Sequence, residues 1–198
     1  DVSMLSGFIM AEANTSSNIS PAWAESRTSP VLSIPNSSKM TESFCSSTSR
    51  YVTETGADAL VRMVAERTAE AVGGCMNAAA FEALSPQQVT LWAYAILRDE
   101  MMEGGCVQLI HNGWGNLFFR NPFARAVREW GMADLAAFMN KMRRLWQRYG
   151  DELARPCSDE EFMALYERFP AFDVLDDYFV LHEEKFTLDV ARYVSRIL

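Results

Sequence analysis

The chain has 198 residues, 49% of them hydrophobic, with 12 Phe, 11 Met and 5 Trp, enough to bury one sizeable core. A net charge of -8 speaks against nucleic acid as a direct partner, because neutralising phosphates takes clustered Lys and Arg. No apolar run approaches the roughly 20 residues of a membrane span, and the apolar start (Met4, Leu5, Phe8, Ile9, Met10) has no Lys or Arg before it, so neither membrane insertion nor a signal peptide is expected and the cytoplasm is the expected location.

Residues 1–50 hold 14 Ser and 4 Thr, with Pro21, Pro30 and Pro35 interrupting any helix, and they keep neither a 3.6- nor a 2-residue period. They read as a Ser/Thr/Pro-rich arm or linker with Phe8, Ile9, Trp23, Val31, Leu32, Ile34 and Phe44 as apolar anchors. Residues 51–198 then read as one helical domain. From Ala57, the stripe Leu60, Val61, Val64, Thr68, Ala71 and Val72 marks a first helix, and Gly73-Gly74 suits a left-handed helix end. A short helix follows over Met76 to Leu84. Ser85-Pro86-Gln87-Gln88 is a capping box with proline at the first helical position, opening a long helix with the stripe Val89, Trp92, Ala93, Ile96, Leu97 and Glu100, closed by Gly104-Gly105.

Cys106 to Asn112 fits one or two helical turns stopped by Gly113, with a loop holding Trp114, Leu117, Phe118 and Phe119 after it. Asn121-Pro122 is read as N-cap and first turn of a helix to Trp130, ended by Gly131. Met132 to Tyr149 follows with a broad apolar face and stops at Gly150; its Lys141, Arg143, Arg144 and Arg148 form the wet side. Ser158-Asp159-Glu160-Glu161 caps the next helix, through Phe162, Leu165, Tyr166 and Phe169 to Pro170. A short helix over the Phe172 to Phe179 block and a separate terminal helix with Leu188, Ala191, Val194 and Leu198 inward complete an all-α, bundle-like domain of roughly eight helices.

The four cysteines (Cys45, Cys75, Cys106, Cys157) form no CxxC pair and are read as reduced, mostly buried thiols. The acidity is uneven: residues 156–198 carry 10 acids against 4 bases, a balance of -6, while the two stretches before them contribute -1 each. Such a charge favours a partner protein with a basic surface.

The order of Leu84-Ser85-Pro86-Gln87-Gln88, Tyr94-Ala95, Glu103-Gly104-Gly105 with Gln108 and Asn112, Trp130-Gly131-Met132 with Leu135 to Phe138, Phe172-Asp173-Val174-Leu175-Asp176-Asp177-Tyr178-Phe179 and Ala191-Arg192-Tyr193-Val194 resembles a family of small bacterial all-helical domains of unknown function. One member of that family is a DNA-mimic protein. The resemblance covers about residues 57–198; its most specific parts are the glycine pair before Gln108 and Asn112 and the Phe-Asp-x-Leu-Asp-Asp block. Family members usually carry an asparagine before the glycine pair and an aromatic after it, where this chain has Glu103 and Cys106. The resemblance implies a fold more directly than an activity.

Three readings of function follow. The first is a non-catalytic acidic interaction module, extended by the resemblance to a DNA mimic that occupies the DNA-binding surface of a basic regulator, with Asp173, Asp176, Asp177, Glu183 and Glu184 as its interaction face and Gly104, Gly105, Gln108 and Asn112 as a structural corner. The second is an enzyme or small-ligand binder with a pocket around Glu100, Cys106 and His111, where acids, a thiol and an imidazole could converge. The third is a structural oligomer subunit, since the large apolar residues exceed what a simple bundle needs and suit a buried arm or a homodimer interface. No cofactor and no metal are expected: only two histidines exist, and His182-Glu183-Glu184 lacks the second histidine of a HExxH site. No catalytic residue is assigned.

Overall fold

The computed structural model of the chain describes residues 54–197; the arm read over residues 1–50, with Cys45, lies outside them. Among the described residues there are nine α-helices and no strand, confirming the all-α class: α1 (Glu54–Ala71), α2 (Ala78–Ala83), α3 (Pro86–Glu103), α4 (Gly105–His111), α5 (Gly115–Phe119), α6 (Phe123–Glu129), α7 (Ala133–Leu153), α8 (Asp159–Arg168) and α9 (Asp173–Ile197). No helix there is long and apolar enough to cross a membrane. The described residues form two compact units, one of residues 96–183 and one of residues 54–95 with 184–197.

The second of these units is built on α1, α2, the start of α3 and the end of α9. Leu60, Val61 and Val64 of α1 are buried, as are Leu91, Trp92 and Tyr94 of α3 and Val190, Ala191 and Val194 of α9. The Tyr94 hydroxyl, fully enclosed, is 2.7 Å from the Thr187 hydroxyl, which satisfies two polar groups that burial would otherwise penalise. Helix α1 ends as its glycines foretell, with Gly73 and Gly74 at φ +77° and +79°. The capping box of α3 forms: the Ser85 amide donates to Gln88 Oε1 at 2.9 Å, and the Gln88 amide to Ser85 Oγ at 3.3 Å.

In the unit of residues 96–183, α7 is the central element, packed against α4, α5 and α6. Its Leu135, Phe138, Met139 and Met142 are buried, while Lys141, Arg143, Arg144 and Arg148 are exposed, as its amphipathic pattern requires. Phe118 meets Phe123 edge-on at 5.2 Å between centroids, and Phe138 packs on Phe179 at 5.5 Å, both within the range of favourable aromatic pairs. The capping box of α8 is complete, with reciprocal bonds between Ser158 and Glu161 at 2.9 and 3.3 Å.

Four local expectations are corrected. The stretch after Gly113 is not a loop but the short helix α5, because Phe118 and Phe119 bury on one side of it. Asn121 does not cap α6: Pro122 is the capping residue, and the Asn121 amide reaches back toward the Asn116 carbonyl at 3.4 Å. Gly150 does not end α7, which runs on to Leu153. A Cβ at Gly150 would lie 2.6 Å from Trp146 Cδ1, so the glycine makes room for the indole and is not a stop. The last two predicted helices are one, α9, since no Gly or Pro follows Asp173 to break it. Of the thiols described, only Cys106 is buried; Cys75 is half-buried and Cys157 exposed, all three free.

Candidate functional site

Two places gather the polar residues singled out in the sequence: the corner between α3 and α4, and the N-terminal half of α9. The corner begins where α3 runs out at Glu103. Gly104 serves as N-cap of α4, and Gly105 takes φ +70°, a left-handed conformation that a residue with a Cβ adopts only at a cost. Space requires the glycine as well, since a Cβ on Gly105 would sit 2.6 Å from the Asp176 carboxyl. A Cβ on Gly104 would run into the Gln108 side chain.

This close approach lets Asp176, from α9, accept a hydrogen bond from the Cys106 backbone amide at 2.8 Å. That amide is one of the donors left unpaired at a helix N-terminus, and a carboxylate is its favoured partner. Tyr166 of α8 closes the other side, donating its hydroxyl to the Gly104 carbonyl at 2.9 Å.

At the centre of the corner lies Glu100, only 8% exposed. Its carboxylate accepts from Asn112 Nδ2 at 2.8 Å, Trp114 Nε1 at 2.7 Å and Gln108 Nε2 at 3.3 Å. The Gln108 amide is shared with Glu103 at 3.3 Å. Burial pushes the Glu100 carboxyl above its ordinary value, against the lowering effect of the Asn112, Trp114 and Gln108 bonds, and the neighbouring Glu103 charge adds to the rise. Burial also raises Asp176, helped by the charges of Asp173 and Asp177 and opposed by the Cys106 bonds. Tyr166 is raised by burial and by the two carboxylates it faces, Asp176 and Glu100.

The residues of the alternative pocket are placed in separate surroundings. Cys106 is wholly buried, with its sulfur 3.9 Å from the Met101 sulfur, and burial followed by the Asp176 charge drives its thiol well up. A thiol in such a place is the opposite of an activated thiolate. His111 Nδ1 is 2.8 Å from the Leu153 carbonyl, and its ring lies against Phe162 at 4.7 Å. Glu100 bonds to amides and an indole, and the structure records no hydrogen bond joining it to the thiol or the imidazole. Among the described residues no group of three or more His, Cys, Asp or Glu could hold a metal ion.

The five acids of the proposed face divide in two. Asp173, Asp177 and Glu184 are exposed. Asp176 turns inward to the corner, and Glu183, 8% exposed, forms an ion pair with Arg98 of α3. The α-helical period explains the split: Asp173 and Asp177 are one turn apart on the outer side, while Asp176 and Glu183 are seven apart on the inner side. Neither Asp173 nor Asp177 enters an ion pair among the described residues.

Sequence reasoning missed Trp114, Tyr166 and Arg98, the partners that complete these arrangements. Trp114 and Tyr166 carry one polar atom each on a large apolar body, so the sequence offers Trp114 only as part of a loop and Tyr166 only as part of an apolar helix stripe.

A family model described as DMP19-like protein matches residues 82–197, which takes in the corner and α9 and leaves α1 outside. The chain is 33% identical over 94 residues to the DNA mimic protein DMP19 of Neisseria meningitidis serogroup B, a match covering 47% of this chain and 57% of that protein. The chain thus spans little more than half the length of that curated relative. With more than half of its residues matched by the family model, the chain belongs to the DMP19-like protein family.

Proposed function

We propose that this protein is a non-catalytic, acidic interaction module that occupies the DNA-binding surface of a basic regulatory protein. The observation that carries the reading is the pair of exposed carboxylates, Asp173 and Asp177, one turn apart on α9, in a chain similar to a DNA mimic protein. Two charges over four residues span about 6 Å along the helix axis. Duplex DNA carries about three or four charges over that length, so the face offers a local and thinner version of the same field, and a homodimer would add a second copy of it. The corner supports the same reading from the other side. Its buried polar groups are engaged in holding α3, α4, α8 and α9, which makes it a rigid mount for the outer face. A partner that binds DNA places the action in the bacterial cytoplasm.

The test is displacement. The protein is titrated into complexes of a fluorescent duplex with each of a panel of purified bacterial DNA-binding regulators. Release of duplex is expected from at least one of them at low salt and should fade as salt screens the contact. The double variant Asp173→Asn/Asp177→Asn should need about fivefold more protein for the same release, the scale of one exposed charge pair. Equal displacement by the double variant would falsify this assignment of the face.

A further inference from the structure

The outward side of α9 is not uniformly acidic. Val174 is 73% exposed, Val180 56% and Leu181 80%, within the same two turns that display Asp173 and Asp177. Val174, Asp177 and Leu181 follow the three- and four-residue steps of one helix face, and Asp173, Asp177 and Val180 those of the adjoining one. Val174 and Leu181 are therefore about 10 Å apart along the axis with a carboxylate between them. The same turns already supply the core from their inner side, through Phe172, Leu175 and Phe179, so the three aliphatic side chains outside are surplus to packing. Single exposed aliphatics are ordinary on a surface; Val174 and Leu181 together on one helix face, with Val180 on the adjoining one, mark a place of contact. The ridge is bounded by Tyr178, whose ring carries the Lys141 ammonium 5.8 Å from its centre.

We propose that this face takes an amphipathic cationic partner: a protein segment, helical in form, with an apolar ridge rimmed by Lys or Arg. The inference deepens the function proposed above and rests on it. Charge complementarity selects the rim, because Asp177 stands between Val174 and Leu181 along the axis and Asp173 lies one turn before it. A purely apolar partner would strand those carboxylates without water, and a partner made only of Lys and Arg would leave Val174 and Leu181 wet. Affinity then divides into a salt-sensitive part from the carboxylates and a salt-resistant part from the aliphatics.

The experiment uses the full chain and two fluorescent helical peptides of equal positive charge, one with leucines along its ridge and one with serines at those positions, followed by anisotropy at low salt and at about 0.5 M salt, where the Debye length is only a few ångströms. The leucine peptide should bind more tightly than the serine peptide and keep a larger share of its affinity at high salt. Val174→Ser/Leu181→Ser, both on the surface and so neutral to folding, should weaken the leucine peptide about tenfold and leave the serine peptide unchanged. Asp173→Asn/Asp177→Asn should weaken both and flatten the salt dependence. If the two peptides bind alike and the serine variant equals the parent, the proposal is overturned while the acidic reading survives. If neither peptide binds and no variant matters, the acidic reading fails and takes this one with it. A fall in sedimentation mass on Val174→Ser/Leu181→Ser, without peptide, would identify a second copy of the chain as the occupant and also overturn the proposal.

Discussion

Gly105 shows how one residue can set a local architecture. Its positive φ and its 2.6 Å gap to the Asp176 carboxyl both exclude a side chain, and the two penalties act together. Gly105→Ala is expected to destabilise the fold by about 2 kcal/mol or more, the cost of a left-handed residue with a Cβ added to a displaced Asp176; a thermal melt of the variant reads this directly, and an unchanged midpoint would contradict it. The glycine pair was legible in the sequence as a backbone requirement. Its reason was not, because Asp176 lies 71 residues further along the chain and only the fold brings it there.

The carboxyls of Glu100 and Asp176 make a second prediction at this scale. Each binds its proton more tightly in the folded chain than in the unfolded one. Their contribution therefore favours folding most below the ordinary values of 4.5 and 3.8 and is lost as pH rises through the higher folded values. Glu100→Gln removes one of the two titrations. As pH is lowered from 7 toward 4.5, the melting temperature of the parent should rise relative to that of Glu100→Gln; a constant difference across that interval would remove Glu100 from the account.

Among the elements, α7 carries the clearest lesson. Helix propensity makes alanine better than glycine in a helix interior by about 1 kcal/mol, so Gly150→Ala should stabilise α7 if only the helix mattered. The Trp146 indole reverses that sign: its Cδ1 stands 2.6 Å from the site of a new Cβ. The urea midpoint of Gly150→Ala is expected to fall, and in a Trp146→Leu background the same change should become neutral or stabilising, a coupling that a double-mutant cycle measures. Sequence alone read Gly150 as a stop because glycine is the commonest helix terminator. The capping boxes at Ser85 and Ser158 declare themselves within four residues, and Gly73 and Gly131 end their helices as read, whereas Asn121 and Gly150 are common boundary residues that do not act as boundaries here.

For the whole molecule, the all-helical class and the concentration of acid in the last fifth of the chain were both visible in composition and periodicity. What the sequence could not disclose is how that acid is shared between inside and outside. Ten acids after residue 155 read as one reservoir of charge, yet Glu183 is committed to Arg98 and Asp176 to a backbone amide. Adjacent positions on a helix differ by about 100°, so sorting of this kind needs the orientation of the helix against its neighbours, which spacing does not contain.

The bond from Asp176 to the Cys106 amide works like a key in a slotted shaft. By tying one position of α9 to the start of α4, it adds to the buried Phe172, Leu175 and Phe179 in opposing a roll of the helix that would bring Asp176 out in place of Asp177. The direction in which Asp177 points is thus held in part by its neighbour Asp176, which turns the other way.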